Sequence, residues 1–283
     1  MIAQRQIHPA QLGTVLDMRD IHVKLSNITQ VFNTSGSGRI EALGPLDLTL
    51  RAGEFFSVIG PSGCGKSTLL EVIAGLAQPT TGQVVIDGKA VCGGVPNGVG
   101  VVFQEDASFP WLTVWKNIMF GLKRHNVDPE VARQRAERAL ELTGLAAFRD
   151  AYPSQLSGGM RQRVCIARTL VMEPRLILLD EPFGALDQQT RLLMGDEVLN
   201  LWRATGATVM LITHALDEAA MLSDRVGIMS ARPGNFIEIV ETGWSKDRDS
   251  RIASSEKFGG LTAYLWSKLR DESIQASRQA GSH

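Results

Sequence analysis

Residues 55–76, FFSVIGPSGCGKSTLLEVIAGL, pass from a short apolar run through a glycine-rich turn into a helical pattern. The turn fits the spacing G-x-x-x-x-G-K-[ST] at Gly60, Gly65, Lys66 and Ser67. Such a loop lets successive backbone N–H groups converge on a phosphate chain, because glycines adopt the backbone angles that this requires. Lys66 adds a point charge for the β- and γ-phosphates, and the Ser67 hydroxyl suits Mg²⁺. The helix that follows offers its positive end to the same anion. The whole segment Gly60, Pro61, Ser62, Gly63, Cys64, Gly65, Lys66, Ser67 and Thr68 is therefore the candidate phosphate cradle.

Two further segments share this chemistry. LILLDE, 176–181, carries two adjacent carboxylates out of four apolar residues, as the end of a buried strand would. Beside a phosphate loop, Asp180 is placed to hold Mg²⁺ and Glu181 to deprotonate an attacking water. LSGGMRQR, 156–163, sets Ser157 as a helix cap, and Gly158 and Gly159 leave backbone N–H groups open at the helix start. That is a second anion site, made without a lysine.

Around these segments the pattern alternates. Val23, Leu25, Ile28 and Val31, then Leu46, Leu48 and Leu50, are spaced as half-buried strands. VVID (84–87), VGVVF (99–103), RLILLD (175–180), TVMLIT (208–213) and RVGIMS (225–230) are further strands. Residues from about 105 to 172 are helical in pattern. In that region Asp128 caps, Pro129 takes the first helical position, and Ala132, Ala136, Ala139 and Leu140 share one face. A further helix is expected around 188–204. Strands alternating with helices predict an α/β fold with a mostly parallel sheet.

Composition narrows the function. The 283 residues carry 29 Lys and Arg against 30 Asp and Glu, so no nucleic-acid partner is expected from charge. Aromatics at 6% do not favour a base-stacking platform. Three scattered cysteines, Cys64, Cys92 and Cys165, fit a reducing compartment rather than a disulfide or zinc framework. Residues 1–20 contain no apolar run of signal-peptide type, and no stretch nears 18 apolar residues.

Taken together, these segments resemble the ATP-binding subunit of an ABC transporter. GPSGCGKST is similar to the family's phosphate loop, LSGGMRQR to its signature, and LILLDE to its second Walker motif. Gln104 resembles the Q-loop glutamine, Asp187 in ALD the D-loop aspartate, and His214 in LITHALDEA the switch histidine. The resemblance spans roughly residues 18 to 240. It implies a P-loop NTPase (RecA-like) core with a mostly parallel sheet, an antiparallel β subdomain and an inserted helical subdomain. Gly60, Gln104, Asp180 and His214 each follow a strand-like run, so all four are expected at one sheet edge, where open α/β sheets bind ligands.

The resemblance also implies the chemistry. ATP is the substrate and Mg²⁺ the metal, held by Ser67, Asp180 and Gln104, while Glu181, His214 and Gln104 serve hydrolysis. Phe32 matches the position of the family's adenine-stacking aromatic, where tyrosine is commoner. Ser157, Gly158, Gly159 and Asp187 are expected to complete the nucleotide site of a second copy of the chain, giving a dimer around two ATP. The motion would pass to separate transmembrane permease subunits, served by a solute-binding protein, with this chain peripheral on the cytoplasmic face of the membrane. The spacing of 90 residues between phosphate loop and signature leaves no room for the coiled coil of DNA-repair or condensation relatives.

Trp111 and Trp115 either anchor that permease contact or pack inside the helical part. Pro110-Trp111 after the Q-loop and Arg232-Pro233-Gly234 after the last core strand are similar to importers of nitrate, sulfonate, taurine and bicarbonate. The expected organisation is a tail over 1–16, an ATP-binding domain over 17–240 with helical insertion near 105–172, and an extension over 241–283. In the extension, Leu261, Leu265 and Leu269 predict a short amphipathic helix within 261–272.

Overall fold

The computed structural model describes residues 23–33, 38–103, 107–184 and 186–280. Six strands form the main sheet: β3 (Phe55–Ile59), β6 (Val99–Val102), β7 (Leu176–Asp180), β8 (Thr208–Ile212), β9 (Arg225–Met229) and β10 (Phe236–Glu241), in the order β10-β9-β3-β8-β7-β6. All neighbours are parallel except β10, which runs antiparallel on the β9 edge. The second sheet is antiparallel, with order β2-β1-β4-β5, from β1 (Val23–Asn33), β2 (Arg39–Leu50), β4 (Thr81–Ile86) and β5 (Lys89–Ala90).

The central strands are buried along their whole length, as parallel strands covered on both faces must be. Their period-2 geometry divides each strand between two cores. Phe55, Leu179, Leu211, Val226 and Ile228 enter one core with the helices α5 (Gln188–Thr205), α6 (Leu216–Leu222) and α7 (Glu256–Ala280). Phe56, Val58, Leu178, Met210 and Ile212 enter the other, against α1 (Lys66–Ile73) and the antiparallel sheet. The alternating Leu46, Leu48 and Leu50 of β2 fill that second core.

A third core belongs to α2 (Val114–Arg124), α3 (Pro129–Leu142) and α4 (Gly158–Leu170). Asp128 caps α3 by accepting from the N–H groups of Glu130 and Val131, with Pro129 at its first position. The helix α4 has two faces. Val164, Ala167 and Val171 face the helical core, while Cys165, Ile166 and Leu170 face the sheet core.

The helix α7 extends beyond the expected 261–272 at both ends. Leu265 and Leu269 are buried where the spacing placed them. Beyond 269 no apolar stripe is needed, because Arg, Glu, Gln and Ala sustain the helix by propensity and no proline interrupts it. The two tryptophans divide. Trp111 is 71% exposed, while Trp115 packs on the helical core with the Arg149 guanidinium 3.8 Å from its ring centre.

Candidate functional site

The phosphate loop joins β3 to α1. At Gly65 the backbone takes φ 106°, and a Cβ there would lie 2.6 Å from the Ala42 carbonyl oxygen, so glycine is required twice over. Lys66 is only 6% exposed, and its ammonium donates to the carbonyls of Gly60 (2.8 Å) and Pro61 (3.0 Å). The charge is thus held over the loop that the motif assigned to it. A cleft of about 500 Å³ opens here, lined by Ser62, Gly63, Gly65, Lys66, Ser67 and Thr68 from the loop. Phe32, at the end of β1 and 42% exposed, lines it from the antiparallel sheet, and Glu181 from the end of β7. Pro61 and Cys64 belong to the same turn, Cys64 N–H donating to the Pro61 carbonyl at 3.3 Å.

The carboxylates stand at the carboxyl end of β7. Ser67 Oγ donates to Asp180 Oδ1 at 3.4 Å, a pair of hard oxygens suited to Mg²⁺. Burial pushes the Asp180 carboxyl above its ordinary range, the Ser67 hydrogen bond opposes this, and the neighbouring Glu181 adds to it. A cation at that point would offset the cost of the partly buried charge. Glu181 sits at φ 45°, and its N–H donates to the Ile212 carbonyl at 2.9 Å. Its carboxylate meets His214, with Nδ1 3.1 Å from Oε2. The sheet edge therefore brings together the loop, Asp180, Glu181 and His214, as strand ends do in an open α/β sheet. Gln104 lies outside the described residues.

Ser157, Gly158 and Gly159 begin α4, where the Ser157 hydroxyl accepts from Met160 N–H at 3.3 Å. None of the three lines the phosphate-loop cleft. They lie instead beside the segment before α5, since a Cβ on Gly159 would sit 3.4 Å from Leu186 Cδ2. Asp187 caps α5, accepting from Thr190 N–H (3.0 Å) and Thr190 Oγ1 (2.7 Å), and those bonds hold its carboxyl below the usual range.

Three supporting residues escaped the sequence reading. Glu218, in α6, accepts from the Thr213 hydroxyl next to His214, and Arg191 Nε lies 3.1 Å from its other oxygen in an ion pair outside hydrogen-bond geometry. Arg191 also donates to the Leu186 carbonyl at 3.1 Å, so this partly buried pair joins the His214 loop to the Asp187 loop. Burial pushes the Glu218 carboxyl up, against the Thr213 hydrogen bond and the Arg191 charge. Arg232 lines the phosphate-loop cleft and donates to the Gly63 carbonyl from Nε and Nη2, at 3.1 and 2.9 Å. A charged residue on an apolar helix face was the one available signal for Glu218; Arg232 gave only its place in a subfamily motif.

Among the described residues no group of three or more His, Cys, Asp or Glu is arranged to hold a metal by itself. A metal here would be held by Ser67 and Asp180 together with the phosphates of the ligand. Such a site fits the pair of oxygens present.

Comparison with known proteins gives the chain a family and a fold. A family model described as ABC transporter matches residues 43–184. The chain is 46% identical over 260 residues to an uncharacterised ABC transporter ATP-binding protein of Methanocaldococcus jannaschii, covering 92% of this chain and 96% of that protein. It is 45% identical over 211 residues to the taurine import ATP-binding protein of Pelagibacter ubique, covering 74% and 79%. Among solved structures, a dimeric post-hydrolysis ATP-binding cassette bound to ADP and Pi superposes with a TM-score of 0.69. It is 33% identical and covers 79% of this chain and 100% of that one.

Proposed function

Because the chain belongs to the ABC transporter family of ATP-binding, ATP-hydrolysing subunits, we propose that it powers a membrane importer as a dimer closing around two ATP molecules. The observation that carries this reading is one sheet edge where Ser67 and Asp180 stand 3.4 Å apart and Glu181 and His214 3.1 Å apart. These are the groups that phosphoryl transfer to water needs: a metal-binding pair and an oriented base.

In this reading the loop 60–68 and Lys66 bind the phosphates, and Phe32 stacks on the adenine. Ser67, Asp180 and Gln104 hold Mg²⁺, which would supply charge neutralisation on the phosphates when bound. Glu181 takes a proton from the attacking water. His214 holds the Glu181 carboxylate in place and faces the γ-phosphate. The anion site at Ser157, Gly158 and Gly159, with Asp187, acts on the nucleotide of the second copy. The separation of Ser157 from the cleft of its own chain supports that assignment.

Closure would pass to separate permease subunits, since no helix among the described residues is long and apolar enough to cross a membrane. Trp111, exposed beside the helical unit, is a contact for them. The chain would then sit on the cytoplasmic face of the membrane, with residues 17–240 as its ATP-binding domain and 241–283 as an extension. The cargo class we favour is a small anion of the nitrate, sulfonate, taurine or bicarbonate kind, which the taurine-import relative supports. Light scattering of the Glu181→Gln chain with and without Mg-ATP tests the dimer. A monomer at saturating ATP overturns it.

A further inference from the structure

The turn at 231–234, which follows β9, makes direct backbone contact with the phosphate loop. A Cβ on Gly234 would lie 2.0 Å from the Cys64 carbonyl oxygen, so the two main chains touch where only glycine fits. Gly234 N–H donates to Ala42 O at 2.9 Å and Gly44 N–H to Gly234 O at 3.0 Å, which ties the turn to β2 on the other side of the loop. Arg232 reaches over with a two-pronged donation to the Gly63 carbonyl. The same peptide unit carries the Cys64 N–H bonded to Pro61, so one plane of the loop is fixed at both ends.

The turn is itself held from outside. Glu272 of α7 accepts from Ala231 N–H at 2.7 Å. Three further bonds seat α7 along the β10 side: Tyr264 Oη to Glu238 (2.7 Å), Lys268 Nζ to Glu238 (3.0 Å) and Lys257 Nζ to the Gly243 carbonyl (2.7 Å). Ala231 is buried, so its N–H has no solvent to fall back on.

We propose that Glu272 and Arg232 are positioning residues that carry the seating of α7 to the phosphate loop, and so make nucleotide affinity depend on the C-terminal helix. The inference rests on the ATP site argued above and goes beyond it, by giving the extension a role in that site. Arg232 lines the cleft and donates there to the loop backbone. Arg232 holds a loop carbonyl, and Glu272 holds the turn that presents Arg232. Weakening either loosens the cradle for the whole phosphate chain equally, which lowers binding without lowering the rate from the bound state.

The test measures ATP affinity with a fluorescent analogue, and KM and kcat for phosphate release, in the full chain. Arg232→Met is expected to raise Kd and KM roughly three- to tenfold, and Glu272→Ala roughly two- to fivefold, with kcat within about twofold. Glu272→Gln keeps an Oε acceptor for Ala231 N–H and is expected to restore the wild-type values. Lys66→Ala serves as the control for the site itself. If Lys66→Ala weakens binding while Arg232→Met and Glu272→Ala do not, the inference is overturned. Thermal midpoints that fall with Kd and KM unchanged overturn it equally, since that is a purely structural role. If the wild-type chain does not bind ATP, the proposed function fails first, and that result is distinguishable from either outcome.

Discussion

The imidazole of His214 and the carboxylate of Glu181 meet at 3.1 Å from the ends of two adjacent parallel strands. The contact does not depend on side-chain reach alone. Asp180 pairs with Ile212 in the sheet register, and Glu181 N–H donates to the Ile212 carbonyl, so both residues leave the sheet from the same level. Backbone hydrogen bonds thus set where Glu181 stands, and the imidazole sets which way its carboxylate turns.

Glu181→Gln keeps the size of the side chain and its contact with His214 but removes the proton acceptor. Phosphate release is expected to fall by roughly 10²–10⁴ with ATP affinity unchanged. Steady-state release assayed beside nucleotide titration checks both halves; near-wild-type turnover excludes Glu181 as the base.

Lys66→Ala removes the one buried ammonium over the loop. Nucleotide affinity is expected to fall roughly 10- to 100-fold, the scale of a charge-assisted hydrogen bond lost, and turnover with it. Unchanged affinity in a fluorescent-nucleotide titration means that the backbone N–H groups alone carry binding.

Ser157→Arg places a bulky cation at the start of α4. Binding of ATP by the single chain is expected to survive within about twofold, because Ser157 does not line that cleft. Dimer formation in the Glu181→Gln background is expected to be lost, read by sedimentation with ATP. Mixed with Lys66→Ala, the variant leaves at most one intact composite site per heterodimer. Loss of ATP binding with the dimer intact overturns the two-chain site.

Partial burial pushes the Asp180 carboxyl above its ordinary range. The folded chain therefore holds this proton more tightly than the unfolded chain, and stability falls as pH rises through the raised value. Above that raised value ionised Asp180 is a cost that Asp180→Asn removes. The variant is expected to melt higher than the wild-type chain at pH 8 without magnesium, to lose that advantage in acid, and to show no turnover. Calorimetry across pH checks the sign, and a variant that melts lower at pH 8 contradicts it.

The parts of this site that were legible in the sequence are those whose chemistry is local. The phosphate loop announces itself because Gly60, Gly65, Lys66 and Ser67 must stand within eight residues. Ser157 and Asp128 were readable because a helix cap bonds only two or three residues ahead. The alternation of Leu46, Leu48 and Leu50 was enough to seat β2 on a core. Arg232 was not readable in its role, since its partner Gly63 is 169 residues away. The Glu218–Arg191 pair was hidden for the same reason, each member sitting in its own helix. The two tryptophans could not be told apart because the pattern does not say that Trp111 precedes the Thr113 cap of α2 while Trp115 lies inside the helix.

The two faces of α4 have a mechanical meaning. Its last turns, through Ile166 and Leu170, are gripped by the sheet core, while Met160 and Val164 nearer its start belong to the helical unit. Ala167 and Val171 of those same turns pack on the helical core, so the far end of α4 joins the two cores while the Ser157 end belongs to the helical unit alone. At 13 residues the helix is about 20 Å long, so a tilt of about 10° moves the Ser157 end by roughly 3 Å. That stroke equals the length of a hydrogen bond. A tilt of that size in α4 would be enough to make or break a hydrogen bond at Ser157.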